Sequence, residues 1–256
     1  MTNPFLGSSE TTRVISFFKD DSSFGHYLAG LLDSYAGRCF YISKKNQISV
    51  EITLHEADVV TLFKLKKKLQ FGIVSKRSKV KTYRIRINQK LGVVRIIELV
   101  NGKLLTQEKH LQLTKVCLLL NIVPITNNVL LKESPWFTGF FDGGGSFSIG
   151  NKYTLTLCVS QKTKDILELI QHTFDCGKIN YEKFWDGHNW CITDLKNVSK
   201  MLDYFSRFPL CTLKNSDAVT FKRLVLFKKR KYHFKESPYK TNIESLVRAF
   251  KKRKKI

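Results

Sequence analysis

Residues 134–149, SPWFTGFFDGGGSFSI, decide the fold. Ser134-Pro135 suits a helix entry, because proline's fixed φ and missing N–H fit the first turn. Trp136 to Asp142 then reads as a short helix, apolar on most sides. Gly143 to Gly145 are expected to end it in a turn, since each glycine costs a helix about 1 kcal/mol against alanine. Ser146-Phe147-Ser148-Ile149 alternates as a strand does. A helix this apolar has to be buried, and Thr138-Gly139 leaves room for a second backbone.

The second backbone is in the same chain. Residues 27–36, YLAGLLDSYA, align with residues 136–145, WFTGFFDGGG, without a gap. Gly30 falls on Gly139 and Asp33 on Asp142, so the chain is a duplication. Two mutually packed helices follow, with Ala29, Gly30, Thr138 and Gly139 at their interface.

Each helix is followed by the same sequence of patterns. Residues 39–43 and 47–54 form a hairpin about the turn 44–46, with Val50, Ile52 and Leu54 alternating with Glu51 and Thr53. Residues 56–69 read as a helix whose apolar side is Val60, Phe63 and Leu69, with Val59 and Leu62 beside them. A second hairpin, 72–77 and 80–87, puts Tyr83, Ile85 and Ile87 on one face and Arg84 and Arg86 on the other. Helices at 91–100 and 106–121 follow. Residues 122–133 carry a proline and two asparagines and make the linker. Strands recur at 146–149 and 154–161, a helix at 164–174, strands at 177–184 and 189–193 about the turn 185–188, and helices at 198–205, 217–229 and 243–250. The division is an arm (1–21, with Ser22-Ser23 capping the first helix), repeat one (22–121), linker, repeat two (134–235) and a basic tail (236–256).

Composition narrows the function. Of 256 residues, 44 are Lys or Arg against 21 Asp or Glu, a net charge of +23. A folded chain this basic repels itself unless a polyanion is its neighbour, and nucleic acid is the expected one. Hydrophobic residues make up 43%, which excludes a disordered chain. No run of apolar residues is long enough to span a membrane. The first twenty residues mix Arg13 and Lys19 with Glu10 and Asp20, a poor signal or transit peptide. The six cysteines contain no CxxC pair, and scattered buried thiols in a reducing compartment are the expectation. The histidines share no ligand spacing, so no zinc site is expected.

Leu28-Ala29-Gly30-Leu31-Leu32-Asp33 and Phe137-Thr138-Gly139-Phe140-Phe141-Asp142-Gly143 resemble the two copies of the motif that names the LAGLIDADG homing endonucleases and intron maturases. The resemblance covers about residues 24 to 235. It implies an α+β fold: a pseudo-two-fold duplication of an α-β-β-α-β-β-α unit, with two curved antiparallel sheets forming a saddle over nucleic acid. Phosphate- and base-contacting residues are then expected at Lys44, Lys45, Lys76, Arg77, Lys79, Lys81, Arg84 and Arg86. Repeat two offers Lys152, Gln161, Lys162, Lys178 and Lys183, and the C-terminal clusters Lys228, Lys229, Arg230, Lys251, Lys252 and Arg253.

Cleaving members hold divalent metal between two acids, each two positions after the motif aspartate. Those positions here are Tyr35 and Gly144 (Ala36 if the first copy is shifted by one), and neither alignment recovers a carboxylate, the oxygen ligand that Mg²⁺ needs. Only Asp33 and Asp142 remain. The resemblance therefore implies a binder that has lost cleavage and needs no cofactor, binding structured RNA as a group I intron maturase or a ribosomal or other RNP component. It would act as a monomer with internal pseudo-dimer symmetry, in the mitochondrion or another organelle. The alternatives are an active DNA homing endonuclease using Mg²⁺ at a rearranged site, and a non-catalytic DNA-binding regulator.

Overall fold

The computed structural model describes residues 20–35, 37–234 and 236–254. Residues 1–19 of the expected arm, Ala36 and the last two residues of the tail lie outside these. Helix α1 (Asp21–Asp33) starts ahead of the expected Ser22-Ser23 cap, because Asp20 takes the capping position. Its carboxylate accepts from the Ser23 N–H at 2.7 Å and the Ser23 hydroxyl at 3.0 Å, satisfying a donor the first turn leaves without a helical partner.

The chain continues through β1 (Phe40–Ile42), β2 (Ile48–His55), α2 (Val59–Leu69), β3 (Ile73–Lys76), β4 (Thr82–Ile87), α3 (Lys90–Val100) and α4 (Gln107–Leu119). After the linker come α5 (Trp136–Gly144), β5 (Gly145–Ile149), β6 (Leu155–Gln161), α6 (Asp165–Phe174), β7 (Lys178–Glu182), β8 (Gly187–Ile192), α7 (Leu195–Arg207), α8 (Lys214–Lys229) and α9 (Lys240–Arg253). Both repeats thus run α-β-β-α-β-β-α-α, one helix longer than the expected unit. The two sheets are antiparallel, ordered β1-β2-β4-β3 and β5-β6-β8-β7. Val50, Ile52, Ile85 and Ile87 in one sheet, and Phe147, Leu157, Val159 and Trp190 in the other, turn inward and are buried.

The core gathers on α5. Phe137 packs against the rings of Phe141, Phe174, Trp190, Tyr204 and Phe205 at centroid distances of 5.0–6.0 Å. Trp136, Phe137, Phe140 and Phe141 are fully buried, at roughly 1.5–3 kcal/mol for each such side chain.

Three expectations are corrected. The helix does not stop at Asp142 but runs through Gly144, so the glycines make no turn. A Cβ on Gly143 would lie 1.7 Å from the Ser34 hydroxyl at the end of α1, so that glycine serves close approach rather than flexibility. In α2, Val60 and Phe63 are exposed; Leu62, Leu65 and Leu69 form the inward stripe, with Thr61 donating its hydroxyl to the Cys211 carbonyl at 2.8 Å. Finally, Cys158 and Cys191 are not free thiols. They face each other across β6 and β8 with Cα atoms 4.2 Å apart and are joined as a disulfide, a spacing close to that of a non-hydrogen-bonded antiparallel pair. Maleimide labelling of the protein denatured without reductant is expected to leave these two cysteines unmodified and to reach them after dithiothreitol, read by intact mass; full labelling without reductant would contradict the pairing.

The basic tail is also part of the fold. Helix α9 lays Ile243, Val247 and Phe250 into the core beside α8. Arg253 donates to the Thr220 hydroxyl at 2.9 Å, and Lys254 reaches the Asp217 carboxylate at 2.6 Å.

Candidate nucleic-acid interface

The centre of the molecule is the crossing of α1 and α5. A Cβ on Gly30 would sit 1.9 Å from the Trp136 carbonyl oxygen, and one on Gly139 would sit 1.9 Å from the Tyr27 carbonyl oxygen. The two positions that align in the sequence are the two points of backbone contact. Ala29 is buried alongside, whereas Thr138 turns its hydroxyl to the Phe208 carbonyl at 2.7 Å.

The motif aspartates are equally symmetric in use. Asp33 accepts from the Leu105 N–H at 2.7 Å, from the Thr106 N–H at 3.1 Å and hydroxyl, and from the Trp136 indole N–H at 3.1 Å. Asp142 accepts from the Cys211 N–H at 2.7 Å, the Thr212 hydroxyl and the Tyr27 hydroxyl at 3.0 Å. Tyr27 and Trp136 are aligned residues, so each helix sends the matching aromatic to the other helix's carboxylate. Each aspartate also holds the chain just before the last helices, α4 and α8. Both are buried. Burial pushes Asp33 up to about 7 against the pull of its donors, and raises Asp142 against Lys214 and its own donors.

A half-buried lysine, Lys214, and a buried one, Lys109, complete the arrangement. Lys214 donates to the Phe141 carbonyl at 3.1 Å and to the Asp142 carbonyl, at the negative end of α5. Lys109 donates to the Gly37 carbonyl at 2.6 Å, just past α1. A cleft of about 470 Å³ lies beside Lys214, lined by Tyr35, Thr53, Asp58, Arg77, Asp142 and Lys214 among others.

The two positions at which the resemblance implies an acid in cleaving members carry other chemistry. Tyr35 donates its hydroxyl to the Thr53 carbonyl. A Cβ placed on Gly144 would make ordinary van der Waals contact with Gln161, Ser160 and Ser34 at 3.7 Å, so packing does not demand a glycine there. These residues do not fit a divalent cation. The carboxylates that survive are saturated by N–H and O–H donors, and a phenol whose proton is already donated offers a hard cation little.

The outer faces of the sheets carry part of the expected basic surface. Arg84 and Arg86 lie together on the face of β4 away from the core, but Glu51, opposite Arg86 on β2, pairs with both, at 3.3 Å from Arg84. This buried glutamate fixes two guanidinium groups and neutralises one charge. Lys44 and Lys45 are exposed in the β1–β2 turn, and Arg77, Lys79 and Lys81 in the β3–β4 turn. Lys76 is displaced from this set: it stands opposite Tyr83, on the other face, 5.9 Å over that ring and 3.5 Å from Glu56.

In repeat two, Lys178 shares the outer face with Cys191, its partner in register, and Lys152 and Lys183 are exposed in turns. Gln161 is turned inward to the Ser34 carbonyl at 3.1 Å, and Lys162 is held by the Asp186 carboxylate at 2.7 Å. Lys228 caps the Tyr153 carbonyl at 3.0 Å, Lys229 lies 3.4 Å from the Ser199 hydroxyl, and Arg253 is taken by α8, which leaves Arg230, Lys251 and Lys252 exposed. Sequence reading missed Glu51, Lys109 and Lys214. Glu51 could have been found by its place between apolar residues on a strand facing two arginines; a lysine buried at a helix end leaves no local signal.

A family model described as LAGLIDADG endonuclease matches residues 28–120 and 137–225. The intron-encoded RNA maturase bI4 of Saccharomyces cerevisiae is 33% identical over 198 residues, 73% of this chain and 30% of its own length. The probable intron-encoded endonuclease aI2 of Debaryomyces hansenii is 28% identical, over 76% of this chain and 32% of its own length. The chain thus spans about a third of these two relatives. An uncharacterized cox1 intron-2 protein of Schizosaccharomyces pombe is 28% identical over 94% of this chain and 82% of its own length. Among solved structures, the meganuclease I-AabMI bound to uncleaved DNA superposes with a TM-score of 0.70, covering 88% of this chain and 98% of its own at 19% identity.

Proposed function

Because the chain belongs to the LAGLIDADG endonuclease family, we propose that it binds nucleic acid, structured RNA in preference, and does not cut it. One observation carries the reading: the motif carboxylates are used up in joining the helices, and the two positions beyond them are Tyr35 and Gly144. A Cβ fits at Gly144 without a clash, so close packing at that atom does not require the glycine. Similarity to a protein named an RNA maturase supports RNA as the target, and intron RNA as its source. A ribosomal or other RNP role would use the same surface, and the intron-encoded relatives support an organelle, the mitochondrion first.

Binding would rest on phosphate contacts from Lys44, Lys45, Arg77, Lys79, Lys81 and Lys178, with Arg84 and Arg86 held ready by Glu51. The affinity is then steeply salt dependent, dropping about 10³-fold or more between 50 and 200 mM salt if six or more phosphates are neutralised. The second reading, an active DNA endonuclease, is favoured by the names of the endonuclease relatives. Crosslinking followed by sequencing of the bound nucleic acid separates the two. A pool dominated by one structured RNA is the expected result; recovery of duplex DNA alone would overturn the preference.

A further inference from the structure

The turn joining β7 and β8 is chemically unlike its counterpart in repeat one. Between β3 and β4 the chain reads Arg77-Ser78-Lys79-Val80-Lys81, a basic turn; between β7 and β8 it reads Lys183-Phe184-Trp185-Asp186. Phe184 is 100% exposed, Trp185 39% and Tyr181, on the strand before it, 57%. Three aromatic side chains presented to water at one hairpin end oppose the usual drive to bury them.

This end is rigid. Lys162 donates to the Asp186 carbonyl at 2.6 Å and its carboxylate at 2.7 Å, while Tyr181 donates to the other carboxylate oxygen at 2.8 Å. The Trp185 ring lies directly over Gly187, where a Cβ would come within 1.9 Å of it, so the indole is seated on backbone while remaining 39% exposed. The register puts His188 opposite Gln161, and Gln161 bonds the Ser34 carbonyl at the end of α1. The aromatic tip therefore stands at the end of the sheet where the two repeats meet.

We propose that Phe184 and Trp185 form a stacking platform for an unpaired base of the bound RNA, with Lys183 beside them for its phosphate. The inference rests on the nucleic-acid-binding reading above and adds the class of target: a bulge, loop or single-stranded junction rather than a continuous duplex. Flat rings accept any base on their faces, whereas bases inside a duplex are already stacked and offer the tip only their edges. A protein partner would also cover aromatic rings, but the basic chain and the adjacent lysine favour an anion-bearing aromatic ligand.

Trp136 and Trp190 are fully buried, so of the three tryptophans only Trp185 reports on a ligand at this surface. The test uses the full chain and three probes: oligoadenylate, an RNA hairpin with an unpaired bulge, and a perfect RNA duplex of equal length. Wild-type fluorescence is expected to be quenched by the first two, with the bulged hairpin bound more tightly than the duplex. Phe184→Ala and the double variant Phe184→Ala/Trp185→Ala should lose about 10- to 100-fold for unpaired probes, the loss of one or two stacked bases, and keep the duplex affinity. Phe184 touches solvent on every side, so its variant is expected to keep the wild-type melting temperature. Equal affinities of wild type and variants for all three probes would overturn the platform and leave the binding reading standing. No binding of any probe by wild type would overturn both.

Discussion

Asp142→Asn lowers the melting temperature by about 10 °C, with or without divalent metal present. The carboxylate accepts from the Cys211 N–H, the Thr212 hydroxyl and the Tyr27 hydroxyl in a buried site. An asparagine keeps one acceptor and turns an NH₂ group toward these N–H and O–H donors. Hydrogen bonds to a charged group contribute about 1.5–3 kcal/mol and each stranded donor costs about 1–3 kcal/mol, so a net loss of roughly 3–5 kcal/mol is expected. For a chain of this size each kcal/mol shifts the midpoint by about 2–4 °C. Asp33→Asn should behave alike, since it faces Leu105, Thr106 and Trp136 in the mirrored setting. Differential scanning calorimetry with EDTA and with Mg²⁺ checks this. A variant as stable as wild type, or a wild type markedly stabilised by Mg²⁺, would assign these carboxylates to metal instead of to the helix joint.

Gly139→Ala is expected to cost more. The added Cβ meets the Tyr27 carbonyl oxygen at 1.9 Å and the Leu31 nitrogen at 2.8 Å. Both are backbone atoms of a buried helix, which no rotamer change can move. Overpacking of a core costs about 1–3 kcal/mol even where side chains give way, and here two helices would have to part. Parting them would also draw Tyr27 from Asp142 and Trp136 from Asp33, so insoluble or largely unfolded protein is the expected outcome. The three glycines of α5 grade the effect. Gly143→Ala meets the Ser34 hydroxyl, a side chain that can rotate, and should be milder. Gly144→Ala makes only ordinary contacts at 3.7 Å and should match or slightly exceed wild-type stability. Soluble expression and thermal melts of the three variants test the order; Gly139→Ala melting with wild type would refute the close crossing.

Much of this was legible in the sequence. The gapless match of YLAGLLDSYA to WFTGFFDGGG placed both helices and both contact glycines, because a close crossing of backbones admits little else. Strand faces were legible from alternation, as Arg84 and Arg86 show. What escaped depends on groups far apart in the chain. Nothing local shows that Asp33 is held by Leu105 and Thr106, or that Lys162 is held by Asp186. The glycine run looked like a turn because propensity opposes it in a helix, yet burial against α1 outweighs that penalty. In α2 two apolar sides compete, Val60-Phe63 and Leu62-Leu65-Leu69, and only the contact with the sheet decides between them. Cys158 and Cys191 are 33 residues apart and meet only through strand register.

Whether this scaffold binds without cutting is decided by a cleavage assay. Purified wild-type protein is incubated with a library of duplex DNA in Mg²⁺ or Mn²⁺, and new ends are sequenced. No ends above the EDTA control are expected, because Tyr35 and Gly144 bring no carboxylate and Asp33 and Asp142 have none to spare. Site-specific ends that appear with metal and vanish with EDTA would contradict the loss of cleavage.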